Sequence, residues 1–201
     1  IWMAEKKRAL RMITANSDLS KIVKNLLLVS QQETSIIRSP AIRQLRTFIN
    51  TNSNIFNDAK VYVVSKNMTI IGAQNDLDIG KQVTLKEHRD FLRDNIFLGK
   101  FIMIPPVPFN FFSNHKQDTK EKPSLFFAGP ITNEHGELMA ALILELDPLK
   151  EFTQIARSGR LGKTGETYIF DHKGFLLTES RFNKELQEIG LISPLQNSTL
   201  N

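Results

Sequence analysis

The sequence predicts an α+β fold in which a long N-terminal helix packs on an antiparallel sheet. Residues 4–37 contain no glycine or proline, and their apolar side chains recur at spacings of three and four, as on one face of a helix. Three later segments each consist of a strand pattern, a polar turn and a returning strand pattern. Helical patterns separate these hairpins, and such a mixture of elements is typical of α+β domains.

The N-terminal part, residues 1–57, is predicted to hold two helices. The first, over residues 4–37, would be roughly 50 Å long at 1.5 Å per residue. Pro40 ends it, because the residue before a proline avoids the helical conformation. A second helix is expected over residues 41–52. The apolar stripe of the first helix, which Glu33 alone interrupts, consists of Met12, Ala15, Leu19, Ile22, Leu26, Val29 and Ile36.

Strands and helices alternate in the rest of the chain. Asn67, Asn133 and Gly136 favour turns between paired strands. The run of prolines at 105, 106 and 108 is expected to end the strand before it. The predicted strands fall at 61–65, 69–73, 99–104, 125–131 and 138–146, and the predicted helices at 85–95 and 148–158.

The third hairpin carries the most specific motif of the chain. Residues 161–180 read LGKTGETYIFDHKGFLLTES, in which Thr167 to Phe170 favour a strand and Asp171 to Gly174 favour a turn. The order Gly-x-Thr-Gly-Glu-Thr-Tyr at 162–168, followed by this hairpin, resembles the opening of the membrane-proximal module of double Cache sensor domains. These are extracytoplasmic ligand-binding parts of bacterial histidine kinases, chemoreceptors and cyclic-dinucleotide enzymes. An ordinary hairpin in an unrelated α+β domain is the alternative reading.

The resemblance extends to the order of elements over most of the chain and implies a domain organisation. Residues 1–57 correspond to the stalk helix and the second helix. Residues 58–158 correspond to a membrane-distal, PAS-like module that binds the ligand. Residues 159–201 correspond to the start of a membrane-proximal module, which is expected to be incomplete because the remaining chain is too short for its other strands.

The resemblance also implies where a ligand would bind. His88-Arg89-Asp90-Phe91 is the best match to an Arg/His-Pro-aromatic-Phe segment of such pockets, and Asp147 matches an acidic position at the end of the last strand. Arg89 and Asp90 depart from that pattern, and the Trp and Tyr of the amino-acid-binding subgroup are missing, so an α-amino-acid ligand is not expected. The candidate ligand-binding residues are His88, Arg89, Phe91, Phe101, Met103, Phe126, Ala128 and Asp147.

The chemistry of these side chains favours a small carboxylate. His88 and Arg89 can donate charge-assisted hydrogen bonds to it, and the aromatic residues with Met103 and Ala128 can form apolar walls. Each residue also has a structural interpretation. The aromatics suit core packing, His88 and Arg89 suit an exposed helix face, and Asp147 before Pro148 suits a helix N-cap.

Several classes of function lack support in the sequence. The absence of cysteine excludes disulfides, thiolate catalysis and cysteine-ligated zinc. The four histidines have no metal-ligand spacing, and residues 159–165 lack the spacing of a phosphate-binding loop. The Lys and Arg residues are mixed with 21 acidic residues, so the net charge of +5 does not indicate nucleic-acid binding. We therefore expect no catalytic residue, metal or cofactor.

These observations predict an extracytoplasmic small-molecule sensor domain of a membrane-bound receptor that signals through its long helix. No stretch approaches the about 18 apolar residues of a membrane span, so flanking spans outside the sequence would anchor it in the inner membrane. A weak parallel homodimer is expected, because a narrow apolar seam suits helix pairing. The alternatives are a cytosolic PAS-type regulatory domain or an enzyme that shares only the hairpin topology, and an interaction module whose helix dimerises.

Overall fold

The computed structural model describes residues 2–30, 33–56, 59–83, 89–107, 124–148, 150–151, 156, 165–170, 178 and 180–192. The chain divides into two compact units. The first consists of residues 1–104, 110–115 and 126–145, and the second consists of residues 105–109, 116–125 and 146–201. Predicted features that fall on other residues, including the turn at 171–174, lie outside the described residues.

The N-terminal part is helical, and its elements are α1 (Trp2–Thr14), α2 (Ser17–Val29), α3 (Glu33–Arg38), α4 (Pro40–Thr51) and α5 (Ser53–Phe56). The predicted second helix is confirmed as α4, with Pro40 in its first turn and Ser39 as its N-cap. The prediction of one continuous first helix is wrong, because the described residues within 4–37 fall in three helices, α1, α2 and α3.

Asn16 causes the first interruption. Its backbone is extended, and its side-chain oxygen accepts hydrogen bonds from the backbone N–H groups of Asp18 at 2.8 Å and Leu19 at 3.3 Å. These bonds make Asn16 an N-cap, which begins α2 as a new helix. The apolar spacing continues across the cap, so periodicity alone did not reveal the break.

The apolar stripe is mostly buried within the chain. Leu19, Ile22 and Leu26 of α2 are buried, and α2 packs against α4 and the sheet. Met12 does not share this environment, since its side chain is 65% exposed. The described helices include none that is long and apolar enough to cross a membrane.

The α+β prediction is confirmed by an antiparallel sheet with the strand order β2-β1-β5-β4-β3. In the first pairing β1 lies antiparallel to β2, and in the second it lies antiparallel to β5, with Tyr62 opposite Ile143. A short 3-10 helix spans Asp76–Asp78, and α6 spans Arg89–Phe97. The strands are β1 (Lys60–Ser65), β2 (Ile70–Ala73), β3 (Ile102–Val107), β4 (Ser124–Thr132) and β5 (Leu138–Leu146).

The predicted end of the third strand is wrong. β3 continues through Pro105 and Pro106 to Val107. Because β3 is an edge strand, a proline there need not remove a hydrogen bond from the interior of the sheet. The sequence shows the prolines but does not show that this strand lies at an edge.

The helices α1, α2 and α4 cover one face of the sheet, here named the helix face. A Cβ atom added to Gly72 would lie 2.6 Å from Leu45 Cδ2 and 3.2 Å from Leu26 Cδ1, so only glycine admits this close approach. On β4, the ring of Phe127 meets Trp2 of α1 edge-on, with 5.6 Å between centroids. The opposite surface of the sheet is named the far face.

Among the described residues of the second unit, a short helix α7 spans Asn183–Glu188. Within the predicted helix at 148–158, Pro148, Lys150, Glu151 and Ala156 are helical, and the other positions lie outside the described residues. Of the predicted returning strand of the third hairpin, only Thr178 and Ser180 are among the described residues.

Candidate functional site

Strand alternation assigns side chains of the first unit to the far face. The Phe127 ring lies on the helix face, and a Cβ added to Gly129 would lie there too. Because side chains alternate along a strand, Phe126 and Ala128 lie on the far face. Phe126 and Ala128 are buried, and their alternation with Phe127 and Gly129 follows from the regular β4 strand. The far face therefore has an apolar floor on β4.

A polar cluster lies on β1 and β5 of the same sheet. The Tyr62 hydroxyl donates a hydrogen bond to Glu145 Oε2 at 2.9 Å, and Lys60 Nζ lies 3.0 Å from Glu145 Oε1. The Val63 side chain lies on the helix face beside Gly72, so the neighbouring Tyr62 points to the far face. We call Lys60, Tyr62 and Glu145 the far-face cluster.

Burial sets the electrostatics of this cluster. The Glu145 side chain is only 11% exposed, whereas Lys60 is 65% exposed and can move into solvent. Burial raises the pKa of the Tyr62 phenol above its ordinary value of 10, and the carboxylates of Glu145 and Asp78 raise that pKa further. Tyr62 is consequently a protonated hydrogen-bond donor at neutral pH.

A second ion pair contributes to the charge near Tyr62. Lys81 Nζ lies 3.3 Å from Asp78 Oδ1, and both side chains are largely withdrawn from solvent. The region thus combines two carboxylates with two ammonium groups and one phenol. Such a set can offer both donors and acceptors to a polar ligand.

One predicted wall residue, Phe101, lies on the other side of the sheet. The centroid of its ring lies 5.2 Å from the guanidinium carbon of Arg11 on α1, and a Cβ added to Gly129 would lie 2.4 Å from the same ring. Met103, within β3, is half-buried. The structure therefore does not bring Phe101 together with Phe126 and Ala128.

The predicted cationic segment at the start of α6 is only partly described. His88 lies outside the described residues. Arg89 is exposed, and its guanidinium donates to Gln82 Oε1 at 3.3 Å. Phe91 is 48% exposed. Arg89 and Phe91 occupy a solvent-facing part of α6, as the alternative interpretation of these positions expects.

Asp147 is exposed and directly precedes the helical residue Pro148. Its backbone carbonyl accepts a hydrogen bond from the backbone N–H of Glu151 at 3.2 Å. This is the hydrogen-bond pattern of the first helical turn, and it agrees with the N-cap interpretation of Asp147.

The motif of the third hairpin contains a structural network in the second unit. The Glu166 carboxylate accepts hydrogen bonds from the Tyr168 hydroxyl, from Ser180 Oγ at 3.0 Å and from the backbone N–H of Arg181 at 2.6 Å. In addition, the backbone N–H of Ile169 donates to Thr178 Oγ1 at 3.1 Å. Glu166 thereby links residues 180–181 to the Gly-Glu-Thr-Tyr segment, which gives this part of the motif a structural role. The strand predicted at 167–170 is not assigned there, since residues 165–169 have no regular secondary structure.

The sequence interpretation missed the far-face cluster. Its signal was a charged residue, Glu145, inside the apolar run from Leu142 to Leu146, together with Tyr62 in an otherwise aliphatic strand. A buried carboxylate requires partners, so a search for donors at matching strand positions could have found Tyr62 and Lys60. Within the described part of the chain, no three His, Asp or Glu residues are grouped as metal ligands.

Comparison with solved structures identifies similar folds. The sensor domain of the V. cholerae histidine kinase DctB superposes with a TM-score of 0.50 at 14% identity, over 76% of this chain and 51% of that domain. The E. coli DcuS sensor domain gives 0.48 at 11% identity, over 74% and 90% of the two chains. The ligand-binding domain of the C. jejuni chemoreceptor Tlp3 in complex with 4-methylisoleucine gives 0.47 at 14% identity, over 96% and 71%.

The chain spans about half the length of the DctB sensor domain that it matches. No protein-family model matches the sequence, and no curated protein matches it either. The likeness to DctB confirms the PAS-like α+β fold that the resemblance to double Cache domains implied.

Proposed function

We propose that this chain, which has the fold of PAS-like extracytoplasmic sensor domains, binds a small molecule outside the cytoplasm for a membrane-bound signalling receptor. The fold supports a sensor, since the similar solved structures are sensor and ligand-binding domains. Fold alone does not specify an activity, so the chemistry of the far face must supply the rest.

The far-face cluster is the observation that carries this proposal. The Glu145 side chain is only 11% exposed, and its carboxylate accepts a hydrogen bond from the Tyr62 phenol and lies next to the exposed Lys60 ammonium. It lies on the same face of the sheet as the buried Phe126 and Ala128. Ligand sites in proteins combine an apolar surface with a few fixed polar groups in this way. The ligand would exchange hydrogen bonds with Glu145 and Tyr62 and contact the β4 floor.

A carboxylate ligand remains our proposal for the cationic segment. Arg89 has only one weak neutral partner among the described contacts, the Gln82 side chain at 3.3 Å, so its guanidinium can still pair with an anion. Such an acid would bind Arg89 and His88 separately from the far-face cluster, because Arg89 contacts Gln82 beside Thr69, whereas Glu145 lies opposite Lys60 at the other end of β1. Asp147, in the N-cap position, is a weaker candidate for ligand contact than Glu145.

The test is a thermal-shift screen of small organic acids, amines, hydroxy acids and nucleobases. At a ligand concentration of 100 times Kd, binding should stabilise the fold by about 2.7 kcal/mol. For a chain of this size that corresponds to a rise in Tm of roughly 5–10 °C.

Variants then assign the site. Glu145→Gln should reduce the ligand-induced rise in Tm, whereas Glu137→Gln, in the exposed β4–β5 turn, should leave it unchanged. Arg89→Ala and His88→Ala test the acid group, with Arg43→Ala on α4 as the matched control for an exposed arginine. If a ligand stabilises all of these variants as strongly as the wild type, it binds elsewhere and the site assignment is wrong.

Membrane attachment and signalling through the N-terminal helices belong to the same proposal. The test is topology mapping of the full-length receptor with reporter fusions next to this domain. An extracytoplasmic location would support the proposal. A cytoplasmic location would instead favour the PAS-type regulatory alternative.

A weak parallel homodimer is also proposed, through apolar side chains that the helices leave exposed. Met12 on α1 is 65% exposed and Leu28 on α2 is 72% exposed. Sedimentation equilibrium at high concentration should detect self-association, and Met12→Glu with Leu28→Glu should reduce it. A chain that stays monomeric at millimolar concentration would contradict the dimer.

A further inference from the structure

A groove in the first unit lies on the helix face, on the other side of the sheet from the far-face cluster. It has a volume of about 670 Å³, which is within the range of small-molecule sites. Its wall combines the end of α2, the β1–β2 turn and the beginning of β5. Its lining residues include Leu27, Ser30, Lys66, Thr69, Ile71 and Leu138.

The β1–β2 turn gives the groove a polar, hydrogen-bonded rim. Ser65 Oγ donates to the Thr69 carbonyl at 3.0 Å, and its backbone N–H donates to the same carbonyl at 2.9 Å. Met68 has a φ of 66°, which is rare for a residue with a side chain, and its side chain is buried. Such a backbone conformation persists only where the surroundings hold it in place.

A β-bulge gives the groove its apolar wall. Val63 pairs with Gly72 and Val64 pairs with Ile70, so Ile71 has no partner in this register. A bulge of this kind redirects a side chain relative to regular alternation. Ile71 therefore lines the groove together with Leu27 and Leu138.

Lys66 supplies the charge at the rim. It is exposed, and no carboxylate lies within 4.0 Å of its ammonium group among the ion pairs of the described residues. Lys60 and Lys81 differ, because each pairs with a carboxylate. The Lys66 ammonium is thus available to an anion that enters the groove beside Thr69 and Ser30.

We infer that this groove is a second ligand site, which takes a small amphipathic carboxylate. The acid group would lie at Lys66 and the polar turn, and the apolar body would lie against Leu27, Ile71 and Leu138. The occupant would contact both the end of α2 and the β1–β2 turn, so it would join a helix of the N-terminal part to the sheet. This inference is independent of the far-face proposal, which uses other residues.

Octanoate is the probe, and methyl-resolved NMR of the whole chain is the measurement. Titration at millimolar concentrations should shift the methyl signals of Leu27, Ile71 and Leu138 in a saturable manner. Octylamine, which has the opposite charge, and octanol, which has none, should bind more weakly than octanoate.

Two variants test the roles of the charge and the wall. Lys66→Gln should weaken octanoate binding roughly two- to fivefold, the scale of one exposed charge interaction. Lys24→Gln, a neutralised exposed lysine on α2, should leave the Kd unchanged. Leu138→Glu places a carboxylate in the wall and should weaken binding more than Lys66→Gln does.

Three outcomes overturn the inference. The first is no saturable shift with octanoate, the second is equal affinity of wild type and Lys66→Gln, and the third is equal binding of octanoate and octanol. Glu145→Gln should leave octanoate binding at this groove intact. A loss of binding in that variant would show that the probe occupies the far face, which also overturns the inference while leaving the far-face proposal in place.

Discussion

Replacing Tyr62 with phenylalanine removes one hydroxyl from the far-face cluster and keeps the buried ring. The lost hydrogen bond is 2.9 Å long and ends on a carboxylate that is only 11% exposed. Hydrogen bonds to charged groups contribute about 1.5–3 kcal/mol, so we expect Tyr62→Phe to lower the free energy of unfolding by about 2 kcal/mol. The Lys60 pair persists in the variant, but it adds little because Lys60 is mostly exposed.

The single tryptophan serves as the fluorescence probe for this measurement. Trp2 is the single tryptophan, and it packs edge-on against Phe127 within the first unit. Urea unfolding followed by tryptophan fluorescence therefore reports on the unit that contains Tyr62. The corresponding fall in Tm is about 4–8 °C for a chain of this size.

Tyr168, the other tyrosine, provides a matched control. It also donates to a glutamate, but it is 42% exposed, and Glu166 retains its bonds from Ser180 and Arg181 when the hydroxyl is removed. Tyr168→Phe should lower the free energy of unfolding by less than about 1 kcal/mol. Urea unfolding followed by circular dichroism compares the two variants. Equal losses in the two variants, or no loss in Tyr62→Phe, would refute the assignment of a buried, charge-assisted bond.

Three further predictions concern packing, capping and pH. Gly72→Ala should lower the free energy of unfolding by about 1–3 kcal/mol, because its Cβ would lie 2.6 Å from the fully buried Leu45. Urea unfolding measures this decrease. Asn16→Ala should lower the free energy of unfolding by about 1 kcal/mol in the same assay, whereas Asn16→Asp, which can still cap α2, should be nearly neutral. The pKa of the Tyr62 phenol is raised in the folded state, so above pH 10 the folded protein keeps a proton that the unfolded chain has lost. The free energy of unfolding should therefore fall by up to about 1.4 kcal/mol per pH unit above pH 10. Tyr62→Phe should lack this pH dependence. The free energy of unfolding of both proteins is measured at pH 9 and pH 11, and an equal decrease in the two would contradict the prediction.

The sequence was sufficient for elements whose signal is local. The strands of the first two hairpins and α4 follow from short apolar runs, turn residues and a Ser-Pro cap within a few positions of one another. The break at Asn16 was missed although its signal is also local, because asparagine caps a helix only when its backbone is extended. The apolar stripe on both sides of it gave no indication of that conformation.

The candidate site depended on information that is not local. The direction of Phe101 depends on Arg11 of α1 and on the absence of a side chain at Gly129, both distant in sequence. The pairing of Tyr62 with Glu145 joins residues 83 positions apart through the β1–β5 register. Neither relation can be derived from residue spacing along one segment, so the sequence predicted which residues are apolar but not which of them share a face.

The edge strands of the sheet, β2 and β3, each have features that hinder pairing with another strand. On β3, Pro105 and Pro106 offer no N–H groups to a neighbouring chain. On β2, residues 80–83 already satisfy the backbone of Met68 and Ile70, through bonds such as Ile70 N–H to the Lys81 carbonyl at 2.9 Å. At these positions the sheet offers few free backbone groups, so the pairing of another strand with β2 or β3 is disfavoured there.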